Sequence, residues 1–87
     1  MTEHEEYCVS IHDAYKFGCK TVGYAVTLWR WSRYDRTWWY AGARECLFAD
    51  CNGNRRRTLR RARRVARKLA GIFDCTNYDT DEEGMWQ

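Results

Sequence analysis

The sequence contains no proline, so no proline-rich linker divides it. It has only two histidines, His4 and His12. It also lacks a Cys-x-x-Cys, a His-Glu-x-x-His, a glycine-rich phosphate loop, a paired carboxylate set and a Ser–His–Asp order. The expectation is therefore a protein that is not an enzyme and carries no cofactor. No apolar run approaches the roughly 18–20 residues that span a bilayer. The first residues, Met1 to Glu6, are acidic and lack the basic and apolar regions of a secretory signal. These absences lead to an expectation of a cytoplasmic location and no membrane partner. Five cysteines, Cys8, Cys19, Cys46, Cys51 and Cys75, are an odd number, and thiols are expected in a reducing compartment. Cys46 and Cys51 are the only close pair. With no second pair at zinc-ligand spacing, no metal is expected.

Eighty-seven residues leave no room for a large enzyme built on a doubly wound sheet or a barrel. A chain this short buries only about 60–65% of its unfolded surface, so its core must be thin. Aromatic residues are nevertheless 16% of the chain, with five Trp, six Tyr and three Phe, which argues against disorder over most of its length. The net charge of +3 hides a blocky distribution. Residues 30–68 carry thirteen bases against three acids, whereas residues 69–87 carry five acids and no base. Such blocks mark solvated faces or interaction surfaces.

The clearest element is a helix over roughly Asn54 to Ala70. Leu59, Ala62, Ala66, Leu69 and Phe73 make one apolar stripe at helical period, flanked by Val65 and Ile72. Asn54 is placed to cap its start, Asn52-Gly53 to turn the chain before it, and Gly71 to end it. Upstream, Val22, Tyr24, Val26 and Leu28 alternate with smaller or polar residues and with Trp29, the period of a half-buried strand. That strand covers about Thr21 to Ser32, and Thr37 to Glu45 supplies its partner across the loop Arg33-Tyr34-Asp35-Arg36. The first residues carry two readings. Tyr7, Val9 and Ile11 alternate as a strand does. Thr2-x-x-Glu5 with Tyr7, Cys8, Ile11 and Tyr15 fits a capped helix over residues 3–17. The strand is preferred, because a hairpin with one helix needs a third strand for a stable sheet.

The expected fold is α+β: a three-stranded antiparallel sheet packed against one basic amphipathic C-terminal helix, β-β-β-α, with α-β-β-α as the alternative. A single domain would occupy residues 1–73 and an acidic tail residues 74–87. The core would hold Val22, Tyr24, Val26, Leu28, Trp39, Leu59, Val65, Ala66, Leu69 and Phe73, with Ala41 and Ala43 leaving room for the helix. The tail would either screen the helix or fold back through Tyr78 and Trp86.

Two surfaces are candidates for function. The helix carries Arg55, Arg56, Arg57, Arg60, Arg61, Arg63, Arg64, Arg67 and Lys68. Arginine outnumbers lysine eight to one, and the planar guanidinium fork is the better match to phosphate or carboxylate. Arg55, Arg56 and Arg57 fall in the first turn, where the helix dipole disfavours cations and a bound anion would relieve the cost. The second surface is the sheet face expected to hold Trp29, Trp31, Trp38, Tyr40 and Arg44. It reads as a partner or dimer interface, as a base-stacking platform, or as a second small core.

The order of three strands and a basic helix, from about Tyr7 to Gly71, resembles the later part of a double-stranded-RNA-binding domain, and also the arm-binding domains of phage-type integrases. The first resemblance implies that Arg55, Arg56 and Arg57 would grip phosphates across a groove. The size and the Trp/Arg richness are similar in style to small accessory proteins of phages and mobile elements, some of which inhibit host defence complexes. The function expected is non-enzymatic binding of nucleic acid, DNA or RNA, through the Arg-rich helix. The alternative is a protein-interaction module or inhibitor that docks on an acidic protein surface through its Arg face, or on a partner through its Trp-rich face.

Overall fold

The computed structural model describes residues 6–16 and 20–78. The elements are β1 (Tyr7–Lys16), β2 (Lys20–Ser32), β3 (Thr37–Leu47), a 3-10 turn (Phe48–Cys51), α1 (Arg55–Phe73) and β4 (Thr76–Tyr78). The fold is α+β. Residues 7–16 form a strand, so the α-β-β-α arrangement is not the one adopted. The sheet order is β3-β2-β1-β4. β1 and β3 lie antiparallel to β2, and β4 lies parallel to β1. The three antiparallel strands and the helix are thus joined by a fourth strand. It occupies the start of the segment expected to be a tail, whose remaining residues, 79–87, lie outside the described ones. Parallel strands need a long crossover. α1 supplies it, carrying the chain from the β3 edge of the sheet to the β4 edge.

The helix begins as its sequence dictates. The Asn54 side chain accepts a hydrogen bond from the Arg57 amide at 2.9 Å, and the chain enters through Asn52 and Gly53, both at positive φ. Its end is later than the glycine suggests. Gly71 stays helical, and Asp74 takes the left-handed conformation and donates its amide to the Ala70 carbonyl. Aspartate tolerates that conformation better than most residues. Phe73 rests on Tyr7 with ring centroids 4.8 Å apart, so the last turn has a reason to continue.

Small residues bring α1 onto the sheet. Thr58, Ala62, Ala66 and Ala70, each four apart, are the buried residues of the helix, with Leu59, Val65, Leu69 and Phe73 packed partly buried around them. They meet Val9 and Ile11 of β1 and Val26 and Leu28 of β2, with Cys46 as the only fully buried contribution from β3. The Thr58 hydroxyl is satisfied locally, donating to the Asn54 carbonyl at 2.7 Å.

One extra residue in β3 changes which side chains face the helix. Trp31 pairs with Trp38 and Trp29 with Tyr40, as a four-residue loop requires. The register then slips. Leu28 pairs with Gly42 rather than Ala41, and Val26 with Arg44 rather than Ala43. Ala41 is therefore a β-bulge, which reverses the facing of everything after it. Arg44 belongs to the helix side, not to the aromatic face where alternation had put it. Ala43 lies on the aromatic side, and neither Ala41 nor Ala43 is buried. Trp39 does share the helix-side face, opposite Arg30, but it is 57% exposed rather than buried in the core, because the helix covers β1 and β2 and leaves β3 outboard. Val22 sits at a second slip in register, between Ala14 paired to Gly23 and Tyr15 paired to Thr21. It is half-buried, outside the core cluster.

Candidate nucleic-acid interface

The expected cations of α1 divide into two flanks and a crest. Arg57, Arg61, Arg64 and Lys68 follow i, i+4, i+7 and i+11, a straight row about 16 Å long at 1.5 Å per residue. The start of this row faces the turn after β3, and Arg61 comes close enough to Cys46 of β3 to act on its thiol. Arg57, Arg60, Arg61 and Arg64 line a cleft of about 530 Å³ with Asp50, Cys51 and Asn52. Arg60 and Arg67 form the crest, with Arg56 toward the other flank. All of these side chains are exposed, and Arg63 is half-buried. Arg55 lies over the Phe48 ring, 5.0 Å from its centroid, so its guanidinium is held against the turn rather than aimed outward.

The row is costly to build. Arg56–Arg60, Arg57–Arg61, Arg60–Arg64, Arg63–Arg67 and Arg64–Lys68 are all like-charge pairs four residues apart. Each disfavours a helix by about 0.2–0.5 kcal/mol. No residue of the first turn is acidic. Arg56, Arg57, Arg60, Arg61, Arg64, Arg67 and Lys68 form no ion pair with any described residue. The ion pair found among the described residues is elsewhere, Arg30 to Glu6 at 3.9 Å, with both side chains exposed. Asp50, the one carboxylate in the cleft, is turned toward the backbone and accepts from the Leu47 amide at 3.3 Å.

β3 forms the other side of this basic surface. Arg44 stands on its helix-side face, close enough to Cys46 to act on it together with Arg61. Burial pushes the Cys46 thiol up from its ordinary value, and the positive charges of Arg61 and then Arg44 oppose that shift. Cys8, Cys46 and Cys51 are buried and Cys75 is half-buried, all as thiols. No group of three or more His, Cys, Asp or Glu side chains among the described residues could hold a metal ion.

The aromatic face is real but narrower than expected. Trp29, Trp31, Trp38 and Tyr40 share the side of the sheet away from α1. The Trp31 and Trp38 rings are 5.2 Å apart, and Trp29 meets Tyr40 edge-on at 6.4 Å. Only Tyr40 of the four is largely exposed, at 67%. Cys8, Ser10, Ala14 and Thr27 are buried on this side. The Trp29 indole, paired across from Cys8, donates to the Ser10 hydroxyl at 2.8 Å. Tyr78, paired with Ser10, joins this layer from β4. The face therefore contains a small second core as well as a surface.

Alternation alone could not place Arg44 correctly, although it put Trp39 on the right face. Ala41-Gly42 in the middle of an aromatic strand was the available signal, since a glycine inside a strand often marks a bulge. No helix among the described residues is long and apolar enough to cross a membrane. Comparison with known proteins finds no matching family model, no curated relative and no similar solved structure.

Proposed function

We propose that this protein binds nucleic acid through the exposed cations of α1, gripping phosphates without reading base sequence, and that it catalyses no reaction. The observation that carries this reading is the unbroken Arg57–Arg61–Arg64–Lys68 row with Arg60 and Arg67 beside it. These cations are exposed, form no ion pair with a described carboxylate, and are held together at a cost to the helix. A polyanion would remove that cost. Guanidinium groups suit phosphate better than a merely solubilising surface would require. Cytoplasmic action and a role like that of phage accessory proteins fit the composition and belong to the same proposal.

The experiment is a titration of labelled DNA and RNA at two salt concentrations. Phosphate-dominated binding falls linearly on a log–log plot, with a slope of about −0.9 for each phosphate neutralised on a duplex. Arg60→Ala or Arg64→Ala should weaken all sequences alike and reduce the slope by about one. Absence of binding at low salt would remove the proposal. It would favour a protein-interaction module, for which exposed Tyr40 on the sheet and the same Arg face are the available surfaces.

A further inference from the structure

We infer that the nucleic acid taken by this surface is single-stranded, lying in the trench between α1 and β3 with a base stacked on Trp39. The inference rests on the proposed function and specifies its substrate class. The helix covers Cys46 of β3 but leaves Trp39 to Arg44 outboard. On the helix-side face of that strand, Arg44, Gly42 and Trp39 follow one another toward the hairpin loop, and Arg61, which acts on Cys46 together with Arg44, starts the facing wall. A Cβ added at Gly42 would meet nothing within 4 Å, so the middle of the trench floor is open space. The trench has Arg61 and Arg44 at one end and the Trp39 ring at the other.

That end is a second recognition element. Trp39 and Arg30 are cross-strand neighbours. Together with Arg33, Tyr34, Asp35 and Glu6 they border an open depression of about 610 Å³. Tyr34 is 99% exposed. Asp35 is tied to Ser32, which donates to its carboxylate at 3.3 Å, and Glu6 leans on Arg30. Arg33 and Arg36 add further positive charge to the loop. Exposed aromatics interleaved with arginine, on the same face as a basic helix, are the pattern that binds single strands: the cations follow the backbone and the rings take unpaired bases. A duplex keeps its bases stacked inside, so Trp39 would have no π-face to meet. The chemistry used is common to DNA and RNA single strands, and both should bind.

The test is fluorescence anisotropy with labelled single strands of about ten nucleotides, DNA and RNA, against a duplex of the same length. The expected result is tighter binding of the single strands. Trp39→Ala should weaken that binding about tenfold and leave duplex binding nearly unchanged. Trp39→Phe should restore most of the loss. Tyr40→Ala is the control, because Tyr40 is the next residue, comparably exposed, and on the opposite face. It should leave both affinities unchanged, with circular dichroism confirming that every variant is folded. Equal binding of duplex and single strand with Trp39→Ala silent would overturn this inference and leave the proposed function standing. So would a loss on Tyr40→Ala larger than that on Trp39→Ala. No binding of any probe at low salt would overturn both.

Discussion

On the helix side of the sheet, β1 and β2 present Val9, Ile11, Val26 and Leu28 to a stripe of alanines. On the other side the same two strands present Cys8, Ser10, His12, Thr27 and Trp29. The first surface is closed by shape. Its side chains are apolar, and the buried hydroxyl beside them, on Thr58, is satisfied within its own helix. The second is closed in part by hydrogen bonds. Trp29 donates to Ser10, and the Ser10 hydroxyl lies 2.5 Å from His12 Nε2. The two surfaces should therefore fail differently, the first to changes in volume and the second to changes in donors, acceptors and protons.

The largest effect is expected on the helix side. Ala62 is fully buried against the sheet, and Ala62→Leu inserts three heavy atoms where the helix has its closest approach. Overpacking of this kind costs about 1–3 kcal/mol. A urea titration should show the lowered midpoint, and no change there would mean that the helix can lift off its alanines freely. Asn54→Ala removes the cap on the Arg57 amide and should cost about 1 kcal/mol in the same measurement. On the opposite face, Trp29→Phe keeps the ring and deletes the indole donor. It should also cost about 1 kcal/mol, the worth of one buried hydrogen bond.

How much of this was legible in the sequence depended on the length of the signal. The helix was readable because Leu59 to Phe73 repeats its stripe over four turns, and its Asn54 cap was readable from the residue type. The hairpin was readable because Arg33-Tyr34-Asp35-Arg36 separates two long alternating runs, and the pairing nearest the loop followed from its length. What failed was everything beyond Ala41, since a single extra residue reverses facing and no alternation rule anticipates it. Arg44 was misplaced for that reason, whereas Trp39, before the bulge, faces the side expected and is exposed because the helix leaves that end of β3 outboard. β4 was missed because three residues, Thr76 to Tyr78, carry too short a pattern to separate from a tail. The cations of α1 were legible as residues of one helix, but not that Arg55 lies over Phe48 or that Arg63 is half-buried. Nor was the second wall of the basic surface legible, because β3 reaches it only through the bulge.

The smallest expected effect is also the sharpest test of the contrast between the two faces. Ser10 Oγ accepts the Trp29 indole hydrogen and has one hydrogen of its own to give. Neutral His12 Nε2 is placed to accept it. A protonated ring would offer a hydrogen instead and leave the serine with two donors and no acceptor. Burial lowers the His12 pKa from its ordinary value near 6.5, against the weaker opposing charge of Asp13, and so favours the same neutral form. The unfolded chain then binds more protons than the folded one as pH falls through 6.5. The stability His12 contributes is full above that pH and is lost progressively below it, toward the folded-state pKa. His12→Gln keeps an acceptor and cannot titrate. Urea midpoints of the two proteins should agree best near neutrality, with the wild type falling relative to the variant by about pH 5.5. His4 is common to both and cancels. Parallel midpoints across that range would show that proton uptake does not distinguish this face from the one beneath the helix.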